Sequence, residues 1–579
     1  MLKLYYDREE IKVTFKDYDG ALIEEVTVRY EGTAATPADP ERTGYTFVGW
    51  DGQYESVTAD QTVTATYTIN EYSVNFVTNG GNAIGNQVIN YGELVTKPHN
   101  PHRGGYDFVA WYSDNTLTKL WDFNKDKITE NITLYAKWRH TPKEDSDEDE
   151  EEQVIVIVNG KEENAGTETK GEENGKTSVT VSVLPETIDN KIEEALSEKT
   201  DNTQNVVQIP VKDKTSEKVN VALTGDIVKK LEDNEFHISV SRDSVQYNIP
   251  AKEIRITAVA EELNVSSSSL RDIQVEIQII NVDEEIQQKY KEMVEENNSE
   301  IIFPPTEFNI VAKVSKLDGN NESVNVSKFN NYVERVIEIP EGIDPSSITT
   351  GIVFNADGTY SHVPTVVFES SGKWYAKINS LTNSTYSVIE NSIKVSAVKG
   401  HWSEESVNDM ASRLVILDVD TFKPDEAITR ADFALYIVRA LGLYRTESSE
   451  LQSYCFTDVD KSDPAFIGIS IACSYGLIKG YPDGTFKPQA TITRQEAMTM
   501  YARAMDIVKL TIIKNDKINS YTDSKEVAAW AYDSVQKTIS SGIFNGRSKT
   551  IIAPEGIFTY AEAAKAIRNI LINSGLING

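Results

Sequence analysis

Three short segments near the C-terminal end follow one pattern: Thr-Arg-Ala-Asp at 429–432, Thr-Arg-Gln-Glu at 493–496 and Thr-Tyr-Ala-Glu at 559–562. In each segment an acid follows a threonine by three residues, which is typical of a helix-capping box. The threonine hydroxyl accepts from the N–H of the third residue, and the acid reaches back to the threonine N–H. We therefore predict that the structural caps of three helices are Thr429, Asp432, Thr493, Glu496, Thr559 and Glu562.

The residues around these caps repeat at a long, regular period. Trp402, Phe466 and Trp530 are spaced 64 positions apart. After each cap, apolar residues recur at helical spacing, as Phe433 and Ile437 do in the first copy. A copy of about 50 residues has one apolar face and cannot fold alone. We therefore predict that three copies of one helical unit, at 398–446, 454–510 and 519–577, pack together to bury this face.

Two caps contain an arginine, which is an unusual residue at the start of a helix. A helix N-terminus carries partial positive charge and favours anions. Arg430 and Arg494 therefore indicate either that an anionic ligand arrives there or that each arginine pairs with an acid of a neighbouring copy.

The first and third copies depart from the second. The third has Tyr560 in place of the arginine, so the ligand-binding groove expected at its helix start is either silent or dependent on Arg547 or Lys549. It keeps the threonine and the acid, so we expect the threonine and the acid to serve folding and the arginine to serve binding. The first copy has Leu-Val-Ile-Leu at 414–417 where the second is glycine-rich at 476–480. Because of this difference, we expect the ligand-binding groove of the first copy to have a different shape.

The N-terminal part contains a second kind of repeat. Gly-Tyr-x-Phe-Val-x-Trp occurs at 44–50 and again at 105–111. Alternating apolar residues in the flanking segments indicate strands with one buried face. We predict two small β-rich repeats, at 11–70 and 71–139. Residues 1–10 match only the last strand of such a repeat, so we expect a longer polypeptide with a signal peptide upstream.

Two further regions lie between the repeats. Residues 140–175 are rich in Glu and Gly; we predict an acidic disordered linker because such a segment repels itself. For residues 176–392 we predict a mainly β spacer or connecting region. We place short helices at 187–197 and 224–232 and a hairpin turn at Ser371-Gly372. No nucleophile elbow, phosphate loop or carboxylate pair stands out there.

Composition excludes several functions. The net charge of −33 and the pI of about 4.7 oppose nucleic-acid binding, which requires clustered Lys and Arg. The sequence has no run of about 18 apolar residues that would predict a membrane span. Cys455 and Cys473 are the two cysteines; they are either a pair or, as we favour, two buried thiols. The six histidines lack metal-site spacing, and we expect no metal, cofactor or catalytic residue.

Both kinds of repeat resemble known families. Residues 11–138, through Gly-Tyr-x-Phe-Val-x-Trp and Leu-Tyr-Ala-Lys-Trp, resemble the Listeria–Bacteroides repeats of internalin-like surface proteins. That resemblance implies small β-grasp-like modules. The C-terminal copies resemble the S-layer homology family, through Ile-Thr-Arg-Ala-Asp, Ile-Thr-Arg-Gln-Glu and Gly-Tyr-Pro-Asp-Gly-Thr-Phe-Lys-Pro at 480–488. The second resemblance implies a pseudo-threefold helical trimer within one chain. The expected fold class is therefore multidomain α+β, with this all-α trimer at the C-terminus.

The second resemblance also implies a function. Its members anchor non-covalently to secondary cell-wall polysaccharide, which typically carries a pyruvate ketal. We therefore expect a secreted protein of the cell wall or S-layer surface, with the β-repeats as stalk or adhesive modules. The carbohydrate-binding residues that the match implies are Arg494, Arg430, Asp458, Asp523, Trp402 and Trp530.

Two alternatives stay open at this point. One is a wall-anchored enzyme whose catalytic domain lies in 176–392 or in a missing N-terminal part; a buried carboxylate pair or a deep polar pocket there would favour it. The other is that the β-repeats bind glycans, other surface proteins or host ligands, which exposed aromatic rings at Tyr45 or Trp111 would favour. The competing interpretation is that the repeat aromatics are core residues.

Overall fold

The computed structural model describes residues 8–82, 84–103, 106–140, 154–173, 175–197, 205–315, 321–446, 455–510 and 517–579. Two compact units make up the chain, Met1–Asp149 and Glu150–Gly579. The strands of the first unit are β1 Glu10–Lys16, β2 Leu22–Arg29, β3 Tyr45–Asp51, β4 Gln61–Ile69, β5 Glu71–Val77, β6 Gln87–Asn90, β7 Tyr106–Tyr112 and β8 Ile132–His140.

The first unit contains two small β-repeats, as predicted. One sheet has the strand order β2-β1-β4-β3, and the other has the corresponding order β6-β5-β8-β7. In each sheet the central pair is parallel and the outer pairs are antiparallel. The predicted upstream strand at 1–10 falls mostly outside the described residues, and β1 begins at Glu10.

The tryptophans of the repeat motif pack in the two cores. Trp50 packs edge-on against Phe15 with ring centroids 5.0 Å apart, and Trp111 packs in the same way against Phe76 at 5.1 Å. Trp111 is only 1% exposed, so the glycan-binding interpretation fails at that residue. Tyr45 is half-buried, because the Arg42 guanidinium lies 3.6 Å from its ring centroid.

The second unit combines one large sheet with helices. Its strands are β9 Val154–Val158, β10 Lys161–Glu173, β11 Lys176–Val183, β12 Val206–Val211, β13 Lys218–Thr224, β14 His237–Arg242, β15 Val245–Pro250, β16 Ile273–Asn281, β17 Glu300–Ser315, β18 Asn321–Asn325, β19 Lys328–Glu338, β20 Thr350–Phe354, β21 Tyr360–Val363, β22 Thr365–Ser370, β23 Lys373–Thr382 and β24 Thr385–Glu390. Its helices are α1 Pro185–Ser197, α2 Gly225–Asp233, α3 Ile256–Glu262, α4 Glu284–Glu295, α5 Glu404–Ser412, α6 Arg430–Ala440, α7 Phe466–Ser474, α8 Arg494–Ile507, α9 Tyr532–Ser540 and α10 Tyr560–Asn573.

Strands β9 to β24 join in one sheet whose end strands, β21 and β22, follow each other in the chain. The two short helices predicted for this region are α1 and α2. The turn at Ser371-Gly372 connects β22 and β23, and both turn residues have positive φ, 52° and 77°. These three predictions for the middle region are confirmed.

The linker prediction was wrong for residues 154–173. Val154, Val156 and Val158 alternate into the core, and β10 pairs with both β9 and β11. Acids of β10 find partners on neighbouring segments, for example Glu173 with Lys218 at 2.8 Å. Composition counts the acids, but it does not reveal that lysines from other strands compensate them. Residues 141–153 and 174 of the predicted linker lie outside the described residues.

The predicted fold class was also wrong. The chain is mostly β, and its C-terminal copies are not all-α. Antiparallel bridges join Ala427 to Thr559, Thr429 to Thr491, and Thr493 to Ile557. They form because the chain before each cap is extended, so its backbone groups need partners outside the helix. The neighbouring copy supplies them.

The C-terminal copies pack directly on the sheet. The Arg413 guanidinium donates to the Thr349 carbonyl at 2.8 Å, and the Tyr332 hydroxyl donates to the Leu441 carbonyl at 2.9 Å. The side chain of Asn578 exchanges two hydrogen bonds with the backbone of Val367 on edge strand β22. The three copies and the sheet therefore form one compact unit.

The prediction that Cys455 and Cys473 are two buried thiols was wrong. Cys455 and Cys473 form a disulfide that joins the start of the second copy to α7. Disulfides persist in oxidising surroundings outside the cytosol. This bond therefore agrees with a secreted protein.

Candidate functional site

Each predicted cap begins a helix. Glu496 accepts from the Thr493 N–H at 2.8 Å, and Glu562 accepts from the Thr559 N–H at 3.1 Å, so both copies have a complete capping box. In the first copy the Thr429 hydroxyl accepts from the Asp432 N–H at 3.0 Å. Among the described contacts of this cap, the reciprocal bond to the Thr429 N–H is not formed, since aspartate is one methylene shorter than glutamate.

The start of each of these helices docks onto the next copy. The N–H groups of Arg494 and Gln495 donate to the carbonyls of Gly556 and Pro554, both at 3.0 Å. The first two N–H groups of α6 and α10 bind the equivalent loops, at 488–490 and 424–426. The copies thus contact one another in a ring of three junctions. The backbone donors at these helix starts are therefore already occupied by carbonyls of the next copy.

The arginines of the caps lie inside these junctions. The side chain of Arg494 is 4% exposed, and its three nitrogens donate to the Ile552 carbonyl at 2.8 Å, to Glu562 at 2.7 Å and to the Asn545 carbonyl at 3.1 Å. Burial lowers the pKa of this guanidinium, although Glu562 opposes the shift. The geometry is therefore that of internal pairing with a neighbouring copy's acid.

Arg430 has the same arrangement at the junction of copies one and two. Its Nε donates to the Phe486 carbonyl at 2.8 Å, and its Nη1 donates to Glu496 at 3.3 Å. Its guanidinium also lies 4.7 Å from the ring centroid of Tyr481. Arg430 and Arg494 thus both bind the cap acid of the next copy, and neither is directed freely into solvent.

Tyr560 takes the arginine position at the junction of copies three and one. Its hydroxyl donates to Asp432, the cap acid of the first copy, and its ring packs against Phe422 and Tyr436. Burial raises the pKa of Tyr560 well above its ordinary value, and the bond to Asp432 raises it further. A neutral phenol therefore replaces a cation at this junction.

The aspartates implied by the resemblance support loops. Asp523 accepts from the N–H groups of Ile552 and Ala553 at 2.9 and 2.7 Å. Asp458 accepts from those of Phe486 and Lys487 at 2.7 and 2.8 Å. Both carboxylates thereby shape the segment onto which the preceding copy's cap docks. Each carboxylate oxygen accepts from a backbone N–H, so both aspartates stabilise the conformation of their loops.

The two tryptophans are exposed. Trp402 and Trp530 are 62% and 61% exposed, whereas Phe466 at the same place in copy two is 7% exposed. A core role is therefore excluded for both tryptophans. Exposed indole rings provide flat apolar faces on which a sugar ring can stack.

A cavity of about 570 Å³ lies at the junction of copies two and three, within the usual range of ligand sites. Its lining comes from Trp402 of copy one, from the loop 543–547 and from one face of α10. The charged residues that line it are Asp425, Arg494, Arg547, Glu562 and Lys565. We refer to this cavity as the junction cavity. It combines an exposed aromatic ring with cationic groups.

The first copy has a different surface. Leu414, with φ of 61°, stands where the other copies have Gly476 and Gly542 with φ of 66° and 76°. Residues of the following segment line a cavity of about 770 Å³ together with the hairpin residues 357–361 of the sheet region. The surface of this copy is thus reshaped, and the sheet region contributes to it.

The sequence patterns did not single out Lys565 of the junction cavity. The available signal was its spacing, since Glu562, Lys565 and Asn569 lie three and four residues apart and share one helical face. The described residues contain no cluster of His, Cys, Asp or Glu suited to a metal ion. None of the described helices is long and apolar enough to cross a membrane.

Known families match both kinds of repeat. Residues 12–71 and 72–137 match the Listeria-Bacteroides repeat domain. Residues 398–434, 456–498 and 520–564 match the S-layer homology domain. The chain carries two Listeria-Bacteroides repeats and three S-layer homology domains. It is a cell-wall surface protein with S-layer homology anchoring domains.

Curated relatives share parts of this chain. An amylopullulanase of Thermoanaerobacterium thermosulfurigenes is 29% identical over 42% of this chain and 13% of its own length. Exoglucanase XynX of Acetivibrio thermocellus is 32% identical over 34% and 18%. A cellulosome-anchoring protein of Acetivibrio thermocellus is 29% identical over 27% and 35%. The chain thus spans about a third or less of the length of these relatives.

Proposed function

We propose that the three S-layer homology domains hold this protein on secondary cell-wall polysaccharide that carries a pyruvate ketal. The observation that supports this most is the junction cavity, where exposed Trp402 lines the same space as Arg547 and Lys565. A pyruvate ketal on a sugar ring adds one carboxylate to it. An aromatic face suits the ring, and cationic side chains suit the carboxylate.

The other parts of the chain are then presented by this anchor. The large sheet packs directly on the S-layer homology domains, through contacts such as Arg413 to Thr349. We propose that it is a rigid mount. The two Listeria-Bacteroides repeats serve as stalk or adhesive modules.

We also propose that the chain itself is not catalytic. Buried acids of the sheet region have structural partners: Asp213 accepts from the Ser216 N–H, and Glu276 pairs with Lys313, both at 2.7 Å. Glu253 accepts from the backbone N–H of Asn331 at 3.1 Å. Such carboxylates are satisfied by folding contacts. Some of the relatives are enzymes, so a catalytic region elsewhere in a longer protein stays an alternative hypothesis.

Binding of the full chain to wall polysaccharide tests the anchoring proposal. One sample keeps its pyruvate and the other has lost it through mild acid treatment. We expect retention only on the intact polysaccharide in a sedimentation assay. Equal retention on both samples would overturn the carboxylate part of the proposal, and no retention on either would overturn anchoring.

A matched pair of variants tests where the sugar binds. Trp402→Ala removes the exposed ring from the junction cavity, and Trp530→Ala removes an equally exposed ring that does not line it. Loss of a stacking partner weakens binding by about 1–3 kcal/mol in comparable contacts with flat rings. We expect the larger loss of affinity for Trp402→Ala. An equal or larger loss for Trp530→Ala would move the site to another junction.

A further inference from the structure

Lys565 lines the junction cavity from α10. Within the described part of the chain it makes no hydrogen bond and no ion pair, although it is half-buried on α10. Lys423 and Lys537 of the same three domains, by contrast, pair with Glu426 and Asp506. A half-buried ammonium without a partner is costly unless a ligand supplies one.

The neighbouring charges leave the cavity positive. Three cations line it, Arg494, Arg547 and Lys565, against two acids, Asp425 and Glu562. Glu562 is already bound by Arg494 at 2.7 Å and by Arg547 at 3.2 Å. This local excess of positive charge stands in a chain whose net charge is −33.

Accessibility separates the two arginines. The side chain of Arg547 is 43% exposed, and that of Arg494 is 4% exposed. All three nitrogens of Arg494 already donate within the junction. Arg547 donates to the Ile557 carbonyl and to Glu562 through its Nη2. A ligand reaches Arg494 only by displacing a protein contact, whereas Arg547 and Lys565 are open to the cavity.

The same positions in the other copies lack this pair. The sixth residue after the cap threonine is Lys565 in copy three, Thr499 in copy two and Leu435 in copy one. The fifth residue after the positive-φ position is Arg547, Tyr481 and Val419 in the same order. Within the described parts of the three copies, the combination of an open arginine and an unpaired lysine therefore occurs at these positions in copy three.

We propose that Lys565 and Arg547 form the anion-contacting pair of the junction cavity, and that Arg494 is a positioning residue which holds Glu562 and the loop around Asn545. The ligand class is a sugar with a single carboxylate, which Lys565 and Arg547 bind together beside the Trp402 ring. This inference rests on the proposed anchoring function and assigns its charged contact to residues outside the cap motif.

The test compares single-charge variants of the full chain. Lys565→Gln and Arg547→Gln each remove one cation from the cavity, and Lys549→Gln is the control because it removes one exposed cation of the same copy outside it. The probes are wall polysaccharide with and without its pyruvate and a methyl glycoside that bears a pyruvate ketal. Affinity is measured by calorimetry at two salt concentrations.

We expect Lys565→Gln to weaken binding of both pyruvate-bearing probes by about tenfold to hundredfold, as for one lost charge-assisted contact. Its affinity should also depend less on salt than that of the wild type, because one ion pair fewer is screened. The melting temperature should not fall, since Lys565 makes no hydrogen bond or ion pair with the described residues. Lys549→Gln should bind like the wild type.

Two results would overturn the inference. If the wild type distinguishes the two polysaccharides but Lys565→Gln and Arg547→Gln bind like Lys549→Gln, the pair is not the contact and the proposed function stands. If the wild type binds both polysaccharides equally, the carboxylate proposal fails and the inference fails with it. The variant Arg494→Lys keeps the positive charge and tests the positioning role of Arg494. If Arg494 positions Glu562 and the loop around Asn545, this variant should lose free energy of unfolding as well as affinity for the polysaccharide.

Discussion

The junction of copies two and three and the junction of copies three and one use the same backbone contacts with different side chains. At the first, the N–H groups of Arg494 and Gln495 bind the next loop at 3.0 Å. At the second, those of Tyr560 and Ala561 bind the equivalent loop at 3.2 and 3.0 Å. The ring of copies therefore depends on backbone pairing, and the first helical side chain is free to differ.

What differs is the partner of the cap acid. Glu562 receives a buried guanidinium, whereas Asp432 receives a phenol. Glu562 also caps its own helix, whereas the Asp432 carboxylate accepts from the Thr429 hydroxyl at 2.7 Å. In both cases the acid holds the preceding copy in the ring. Our expectation that the acid serves folding while the arginine serves binding does not describe this geometry, because Arg494 is buried in the junction.

Removal of the ion pair between Arg494 and Glu562 should cause the largest loss in the free energy of unfolding. Arg494→Ala leaves the Ile552 and Asn545 carbonyls without their donor and removes one partner of Glu562. We expect a loss of about 3 kcal/mol in the free energy of unfolding, at the low end for a broken buried pair because Arg547 still contacts Glu562. Urea unfolding followed by tryptophan fluorescence measures it.

The matched variant is Tyr560→Phe, which deletes one hydrogen bond at the other junction and keeps the ring. It should cost about 1 kcal/mol. Equal losses for the two variants would mean that the guanidinium contributes no more than the phenol does.

Replacing the phenol of one junction by the arginine of the other should cause an intermediate loss in the free energy of unfolding. Tyr560→Arg restores the cation beside Asp432 but loses the ring contacts with Phe422 and Tyr436. We expect a net loss of about 1–2 kcal/mol, because two aromatic pairs worth about 1–3 kcal/mol together are lost while a contact with Asp432 is kept. Polysaccharide binding stoichiometry should not rise, because Leu435 and Val419 stand where Lys565 and Arg547 would be needed. A gain of one binding site would show that the cap arginine alone creates a site.

Raising the pH into the alkaline range should cause the smallest loss in the free energy of unfolding. The folded state raises the pKa of Tyr560, while an unfolded tyrosine titrates near pH 10. Stability from its neutral form is therefore complete below about pH 10 and is lost as the pH rises from there through the folded-state pKa. By about pH 10.5 the wild type should lose roughly 1 kcal/mol that Tyr560→Phe does not lose. Urea unfolding at about pH 8 and about pH 10.5 compares the two proteins.

Other tyrosines lose stability in the same pH range, so the difference between the two proteins is the informative quantity. Burial raises the pKa of Tyr436, which donates to Asp418, and of Tyr501. These contributions are common to both proteins. Parallel pH profiles would contradict the assignment of a titrating phenol to this junction.

The parts of the fold that depend on short-range patterns could be predicted from the sequence. The capping pattern spans four residues, and the turn at Ser371-Gly372 requires only two residues that accept positive φ. The repeated Gly-Tyr-x-Phe-Val-x-Trp segments likewise indicated two similar sheets. Each of these signals is complete within one element, so no distant partner is needed to interpret it.

The predictions that failed depend on distant partners. Strand β10 looks like a self-repelling acidic segment until Lys218 is placed beside Glu173. Cys455 and Cys473 are two isolated thiols until α7 folds back toward the start of copy two. The arginines are the clearest case, because their acids lie 66 and 68 residues further along the chain.

The sequence by itself determined where three helices begin and how many repeats of each kind the chain has, because capping and periodicity are local. Only the tertiary structure decided what the cap arginines face, since a buried charge is compensated by whichever copy packs against it. It also brought Trp402 of copy one into the same cavity as Lys565 of copy three. That cavity belongs to no single copy, and it exists only when the ring of junctions closes.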